Sequence, residues 1–191
     1  MVTTPPYTAY LKIAEGCSNG CAFCIIPKLR GRYRSRCMDS LLREARELEA
    51  RGVKELIVIA QDITRYGWDL KDGTSLAGLL KELCRLDFHW IRLHYLYPEA
   101  ITDELISVIA SQPRILHYLD IPIQHANDGI LKAMRRRNTR AELEALFDKL
   151  RAAMPDVVIR TSLICGLPGE GEAEFEELCE FLKEQRLQRV G

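Results

Sequence analysis

The chain has 191 residues, with 27 basic and 27 acidic side chains and a formal net charge of zero. That length suits one domain, since roughly 70% of the unfolded surface is already buried at about 150 residues, and the charge balance removes any chain-wide argument for a nucleic-acid or membrane footprint. Apolar runs such as Leu56 to Ala60 are too short to span a bilayer, and the first residues lack a basic and apolar leader, so a cytoplasmic protein with no membrane partner is expected.

Short apolar or alternating segments take turns with amphipathic helical patterns, the order that builds a parallel sheet with crossover helices. In chain order, strands are expected at Ala9 to Glu15, Glu55 to Ala60, Trp90 to His94, Tyr118 to Ile121 and Val157 to Cys165. Helices are expected at Ser40 to Arg51, Ser75 to Arg85, Asp103 to Ala110, Gly129 to Met134, Ala141 to Met154 and Gly171 to Glu184. Thr139 followed by Glu142 has the form of a capping box before Leu143, Leu146, Phe147 and Leu150. The glutamates from Glu170 to Glu177 crowd a helix start, where they suit the dipole and a solvated face. The last residues, Arg186 to Gly191, read as the entry into a further strand.

The seven cysteines are odd in number, and no disulfide framework is expected in a chain of this length. Cys84 and Cys179 continue helical apolar stripes and read as small core hydrophobes. Cys37 and Cys165 have no partner at ligand spacing and are expected to be structural or incidental. Cys17, Cys21 and Cys24 stand apart, because C-x3-C-x2-C after the first strand offers three thiolates and no fourth. A four-iron, four-sulfur cubane is commonly held by four cysteines, so three leave one iron open to a ligand that is not protein. Structural zinc is the alternative; it needs four ligands, and Cys37 is the nearest thiol that could supply the last.

A C-x3-C-x2-C loop with Phe23 before the third cysteine, at the end of the first strand of a β/α chain, resembles the radical S-adenosylmethionine (SAM) superfamily. The segments Ala14 to Cys17, Ile25 to Gly31, Ile59 to Asp62, Asp120 to His125, Leu131 to Arg136 and Ile164 to Glu170 resemble its methylthiotransferase branch. Asp62 to Tyr66, His94 to Glu99 and Gln124 to Ala126 are more similar to the RimO-type enzymes, which modify an aspartate of a small-subunit ribosomal protein, than to those that modify tRNA adenosine.

The resemblance implies a partial (β/α)6-type radical SAM barrel, C-terminally incomplete, over residues 1–191. It implies a 4Fe-4S cluster on Cys17, Cys21 and Cys24, with SAM chelated to the open iron and cleaved to a 5′-deoxyadenosyl radical. Phe23, Gln61, Gln124, Arg160, Ser162 and Gly166 are then expected to contact the cofactor. Arg30, Arg32, Arg34, His94, Tyr95, Tyr97 and His125 are candidates for substrate recognition.

Lys28, Arg30, Arg32, Arg34 and Arg36 alternate with other residues as a basic stripe. It reads either as a strand edge protected by charge or as a surface for an acidic partner or ribosomal RNA. Arg135 to Arg137 form a second basic cluster that suits a helix C-terminus. The implied partners are a small-subunit ribosomal protein and a reducing electron donor. The family's amino-terminal domain, with three more cysteines for an auxiliary cluster, and its carboxy-terminal TRAM-like β domain are not in these residues, so incomplete methylthiotransferase activity is expected of them alone.

Overall fold

Ala9, Leu11 and Ile13 alternate with Thr8, Tyr10 and Lys12, and this period of two turns one set into the core and leaves the other on the opposite face. The computed structural model describes residues 4–191. It begins with β1 (Thr8–Lys12) and the two-residue β2 (Ala14–Glu15), followed by α1 (Ile26–Arg30), β3 (Arg34–Ser35) and α2 (Met38–Ala50). Then come β4 (Glu55–Ile59), α3 (Leu76–Leu83), β5 (Trp90–Leu93) and, after a 3-10 turn at Pro98–Ala100, α4 (Asp103–Ser111) and β6 (Ile115–Asp120). The chain continues through α5 (Asp128–Ala133), α6 (Arg140–Ala153), β7 (Val158–Thr161), α7 (Glu172–Gln185) and β8 (Arg189–Val190).

Six strands form one all-parallel sheet in the order β1-β4-β5-β6-β7-β8, with no pairing between β1 and β8. This is the expected partial (β/α) barrel, left open. Leu11, Leu56, Val58, Ile91, Leu93 and Leu119 are fully buried and meet the helix stripes Leu41, Ala45 and Leu48 of α2 and Leu79, Leu80 and Leu83 of α3. Each buried Val, Leu or Ile contributes about 1.5–3 kcal/mol. Ser75, Thr102 and Asn127 accept backbone N–H bonds at the starts of α3, α4 and α5, and the Thr139/Glu142 capping box opens α6. Such caps contribute typically about 1 kcal/mol each.

The opposite face of the sheet is polar. Arg92 pairs with Glu55 at 2.7 Å, while Asp120 and Arg160 lie in register on β6 and β7 and meet at 2.6 Å. Parallel strands covered on both faces are usually near-continuously apolar, so this polar face is not packed under a second apolar layer.

Several elements differ from expectation. The first strand does not run unbroken to Glu15: Ile13 still donates to Ile59 O, but Ala14 and Glu15 leave the sheet to pair antiparallel with β3. The basic stripe is therefore not an extended edge. Lys28 and Arg30 lie on α1, whose Pro27 suits a first helical turn, and only Arg34 is in a strand. β6 starts three residues earlier than expected, at Ile115. β7 ends at Thr161, beyond which Leu163 makes only an isolated bridge to Gln124. Phe175, one turn before Cys179 on α7, is exposed and extends no core stripe. The glutamates around the start of α7 are not uniformly solvated either: the side chain of Glu170, just before the helix, is 3% exposed and its carboxylate accepts from Leu167 N.

Candidate active site

Gly16 turns the chain out of β2 with φ 78°, a left-handed conformation that glycine adopts without strain. Beyond it the cysteine loop is held at both ends: Cys17 N donates to Gly31 O at 3.2 Å, and Ala22 N donates to Met134 O, at the end of α5, at 2.9 Å. Its middle is anchored by Asn19, whose side-chain amide donates to Asp62 at 2.9 Å. Asp62 is fully buried and also accepts from the Thr64 N–H, the Thr64 hydroxyl and Arg65 Nε. Tyr33 adds a second clamp, its N–H donating to Ser18 Oγ and its hydroxyl to Asp62 O.

The loop closes one wall of a cavity of about 500 Å³ beyond the C-terminal ends of the strands. Cys17, Cys21 and Cys24 line it together with Phe23, Gln61, Tyr95, Tyr97, Gln124 and Ser162. Location at strand C-termini is the rule for ligand sites in parallel α/β folds. A hollow of about 530 Å³ between β1 and α2 is lined by Arg36, Arg43, Glu44 and Arg51 and holds no thiol.

Gln124 and Tyr95 both take positive φ, 76° and 65°, in a region that non-glycine residues seldom occupy. Backbone bonds over-determine them: Gln124 N donates to Ser162 O, Gln124 O accepts from Ile164 N, and Tyr95 O accepts from Ile63 N.

Electrostatics separate the two halves of the site. Burial pushes the Cys17 thiol up and the nearby Asp62 charge adds to the effect, so loading a metal there must expel a proton. Burial also raises the Tyr97 hydroxyl far above the usual phenol range, more than the Arg136 guanidinium lowers it. On the sheet side burial would raise the Asp120 carboxyl, but hydrogen bonds from His94 and Arg160 outweigh it and hold it below the usual range.

Of the residues singled out in the sequence, the cavity gathers the three cysteines, Phe23, Gln61, Gln124, Ser162, Tyr95 and Tyr97. Arg160 sits behind them, bonding Asp120 and, at 3.2 Å, Ser162 Oγ; His94 Nδ1 lies 3.5 Å from the same Asp120. Gly166 is exposed and outside the lining. Arg30, Arg32 and Arg34 are exposed on the flank of the cysteine loop, not in the cavity, with Arg30 3.8 Å from Glu15. His125 is fully buried and presents no surface to a substrate: its Nδ1 accepts from Asn127 N, and its Nε2 lies 3.5 Å from Glu170.

Three residues were missed. Asn19 and Asp62 carry the loop anchor, and the signal for them was weak because the contact spans 43 residues. In the sequence Arg136 reads as part of a helix-end cluster, yet it is 7% exposed and lines the cavity.

The donor set fits a cluster with one free iron better than it fits zinc. Cys37 starts α2 and does not line the cavity. Among the described residues, no three His, Cys, Asp or Glu side chains converge on a single-ion position, whereas a cubane spreads its ligands over several irons. Gln61 Oε1 is buried without a partner on the same cavity, a polar atom in want of a polar ligand.

The model of the Radical SAM superfamily matches residues 11–182. The chain belongs to the radical SAM superfamily. It is 56% identical over 190 residues to the ribosomal protein uS12 methylthiotransferase RimO of Geotalea uraniireducens, and 54% identical over 192 aligned positions to the enzyme of the same name from Caldanaerobacter subterraneus. The alignments take in 99% and 100% of this chain but only 42% and 44% of those proteins. Among solved structures, a radical S-adenosylmethionine methyltransferase from Kitasatospora setae superposes with a TM-score of 0.79 at 17% identity, over 96% of this chain and 36% of that one. Coproporphyrinogen III oxidase from Escherichia coli does so with 0.62 at 17%, over 80% and 35%. At these identities the likeness is one of fold, and it agrees with the open parallel sheet.

Proposed function

We propose that the chain is the SAM-cleaving core of a methylthiotransferase that modifies an aspartate of ribosomal protein uS12 in the cytoplasm. The cavity with three thiols, no fourth ligand and the unpartnered Gln61 Oε1 carries the radical-generating half of this reading. Identity above 50% to uS12 methylthiotransferases along the whole chain supports the substrate. Seven free thiols suit a reducing compartment, and among the described residues no helix is long and apolar enough to cross a membrane.

Cys17, Cys21 and Cys24 would hold a four-iron, four-sulfur cluster, which when bound would supply the electron for cleaving the sulfonium bond of SAM. The chain's own residues hold and shield. Cys17, Cys21 and Cys24 provide thiolates, and Phe23 and Ile26 give the cavity apolar walls that limit solvent. Gln61, Gln124 and Ser162 offer fixed polar atoms to the amino-acid and ribose parts of SAM. Asp120 and Arg160 hold Ser162 in place from behind. Tyr95, 49% exposed, stands at the cavity mouth. The exposed arginines of the loop flank are offered to the partner or to ribosomal RNA, and an external reductant delivers the electron. The chain spans less than half the length of those relatives, and an auxiliary cluster and a substrate-recognising β domain are proposed for the remainder.

A chimera tests the substrate. This chain replaces the matching segment of the Geotalea enzyme, and uS12 and tRNA are both analysed by mass spectrometry after reaction. Methylthiolation of the uS12 aspartate supports the reading, and methylthio-adenosine in tRNA with unmodified uS12 sinks it.

A further inference from the structure

We infer that Tyr97 and Arg136 set the reduction potential of the cluster held by Cys17, Cys21 and Cys24, Tyr97 by donating its hydroxyl to the Cys21 sulfur and Arg136 by holding and polarising the Tyr97 ring. The inference rests on the cluster assignment made under the proposed function, and it takes Tyr97 away from substrate recognition.

The Tyr97 hydroxyl lies 3.2 Å from Cys21 Sγ. A thiolate has no proton to give, so with a metal-bound Cys21 the tyrosine is the donor. Little freedom remains to the side chain. Tyr97 N donates to Thr64 Oγ1, and Tyr97 O accepts from Ala100 N. Its ring is covered by Arg136, with the guanidinium carbon 3.9 Å from the centroid, and is approached by Arg65 at 5.7 Å.

Arg136 is unusual for a buried cation. It is 7% exposed and makes no ion pair among the described residues; its Nη2 donates to Pro122 O at 2.7 Å, and its Nε has no partner. A buried charge with no carboxylate within ion-pair distance is costly, and the nearby Glu99 charge and the aromatic face of Tyr97 offset it. Arg135, at φ 57°, turns the chain after α5 so that Arg136 reaches beneath the cavity, while Met134 O accepts from Ala22 N in the same turn. The element that carries the arginine is thus bonded to the loop that carries Cys21.

Hydrogen bonds to the sulfurs and nearby charge are the main protein levers on an iron-sulfur potential. A donor to Cys21 and a cation behind it both stabilise the electron-richer state, so both raise the potential. Tyr97 touches the ligand sulfur, and Arg136 acts through Tyr97 as a positioning residue.

The test uses the whole 191-residue chain, reconstituted anaerobically, as the unsubstituted protein, Tyr97→Phe and Arg136→Lys. Iron and sulfide are measured first, then the midpoint potential by redox titration followed by electron paramagnetic resonance. Tyr97→Phe is expected to load fully and shift the midpoint negative, the reduced-to-oxidised ratio at fixed potential falling about tenfold, or ~59 mV for one electron. Arg136→Lys is expected to shift it in the same direction by less, and it supplies the reading if Tyr97→Phe does not fold. A loaded variant with an unchanged midpoint overturns the inference and leaves the cluster assignment standing. Failure of the unsubstituted chain to bind any cluster overturns both.

Discussion

The side-chain amide of Asn19, between the first two cysteines, donates to the carboxylate of Asp62 at 2.9 Å and so ties the ligand loop to the end of β4. Asp62 has no exposed side-chain surface and collects three further donors from Thr64 and Arg65. Asp62→Ala leaves the Asn19 amide and the two Thr64 donors without their acceptor, while Arg65 keeps Glu99 at 3.2 Å. Leaving buried donors unsatisfied costs about 1–3 kcal/mol, so the urea midpoint should fall and iron uptake should drop with it. Unchanged iron content in a folded Asp62→Ala protein would show that the loop needs no such anchor.

Gly16→Ala should damage the site more than the fold. The left-handed backbone costs a side chain about 1–2 kcal/mol, and a Cβ there would overlap the backbone carbonyl oxygens of Arg32 and Gly31. The turn that presents Cys17 must open to relieve it. Circular dichroism is expected to remain close to that of the parent while cluster incorporation is lost; normal incorporation would contradict the close approach.

Asp120 makes a pH-dependent contribution. Its folded-state pKa lies below the ordinary value of about 3.9, so its stabilisation is fully present above that value and is lost as pH falls through the folded pKa. Asp120→Asn leaves Arg160 and His94 facing an amide and should cost about 1–3 kcal/mol at pH 7. In denaturant titrations the gap between the two proteins should hold constant down to about pH 5 and close below about pH 4. A gap that widens in acid would reverse the sign of the argument.

The strands and most helices were legible because period-two and period-3.6 patterns report burial directly. β4 and α6 lie within a residue or two of where their patterns put them. The gathering of the three cysteines on one cavity was legible because their close spacing keeps them on one short loop. What escaped depends on contacts distant in sequence. Nothing local announces that Asn19 finds Asp62, or that Arg136 is buried on Tyr97 when Arg135 and Arg137 beside it are exposed. The alternating arginines misled for a related reason. Alternation suggests a strand, but Pro27 starts a helical turn and only Arg34 and Ser35 find a pairing partner. His125 was noticed for its motif, and only packing shows that the ring faces Glu170 and the interior instead of a substrate.

Cysteine variants separate the two metals. Cys17→Ala, Cys21→Ala and Cys24→Ala are each expected to lose iron and sulfide after anaerobic reconstitution, and Cys37→Ala to keep both, since Cys37 starts α2 away from the cavity. One tightly held zinc, lost on Cys37→Ala, would restore the four-thiolate alternative.

The most direct test of the account is the release of 5′-deoxyadenosine from SAM by the reconstituted and chemically reduced chain, measured by liquid chromatography. Release by the parent and none from any of the three cysteine variants is the predicted result. A parent protein that carries about four iron and four sulfide yet releases no 5′-deoxyadenosine would contradict the claim that this cavity binds and cleaves SAM.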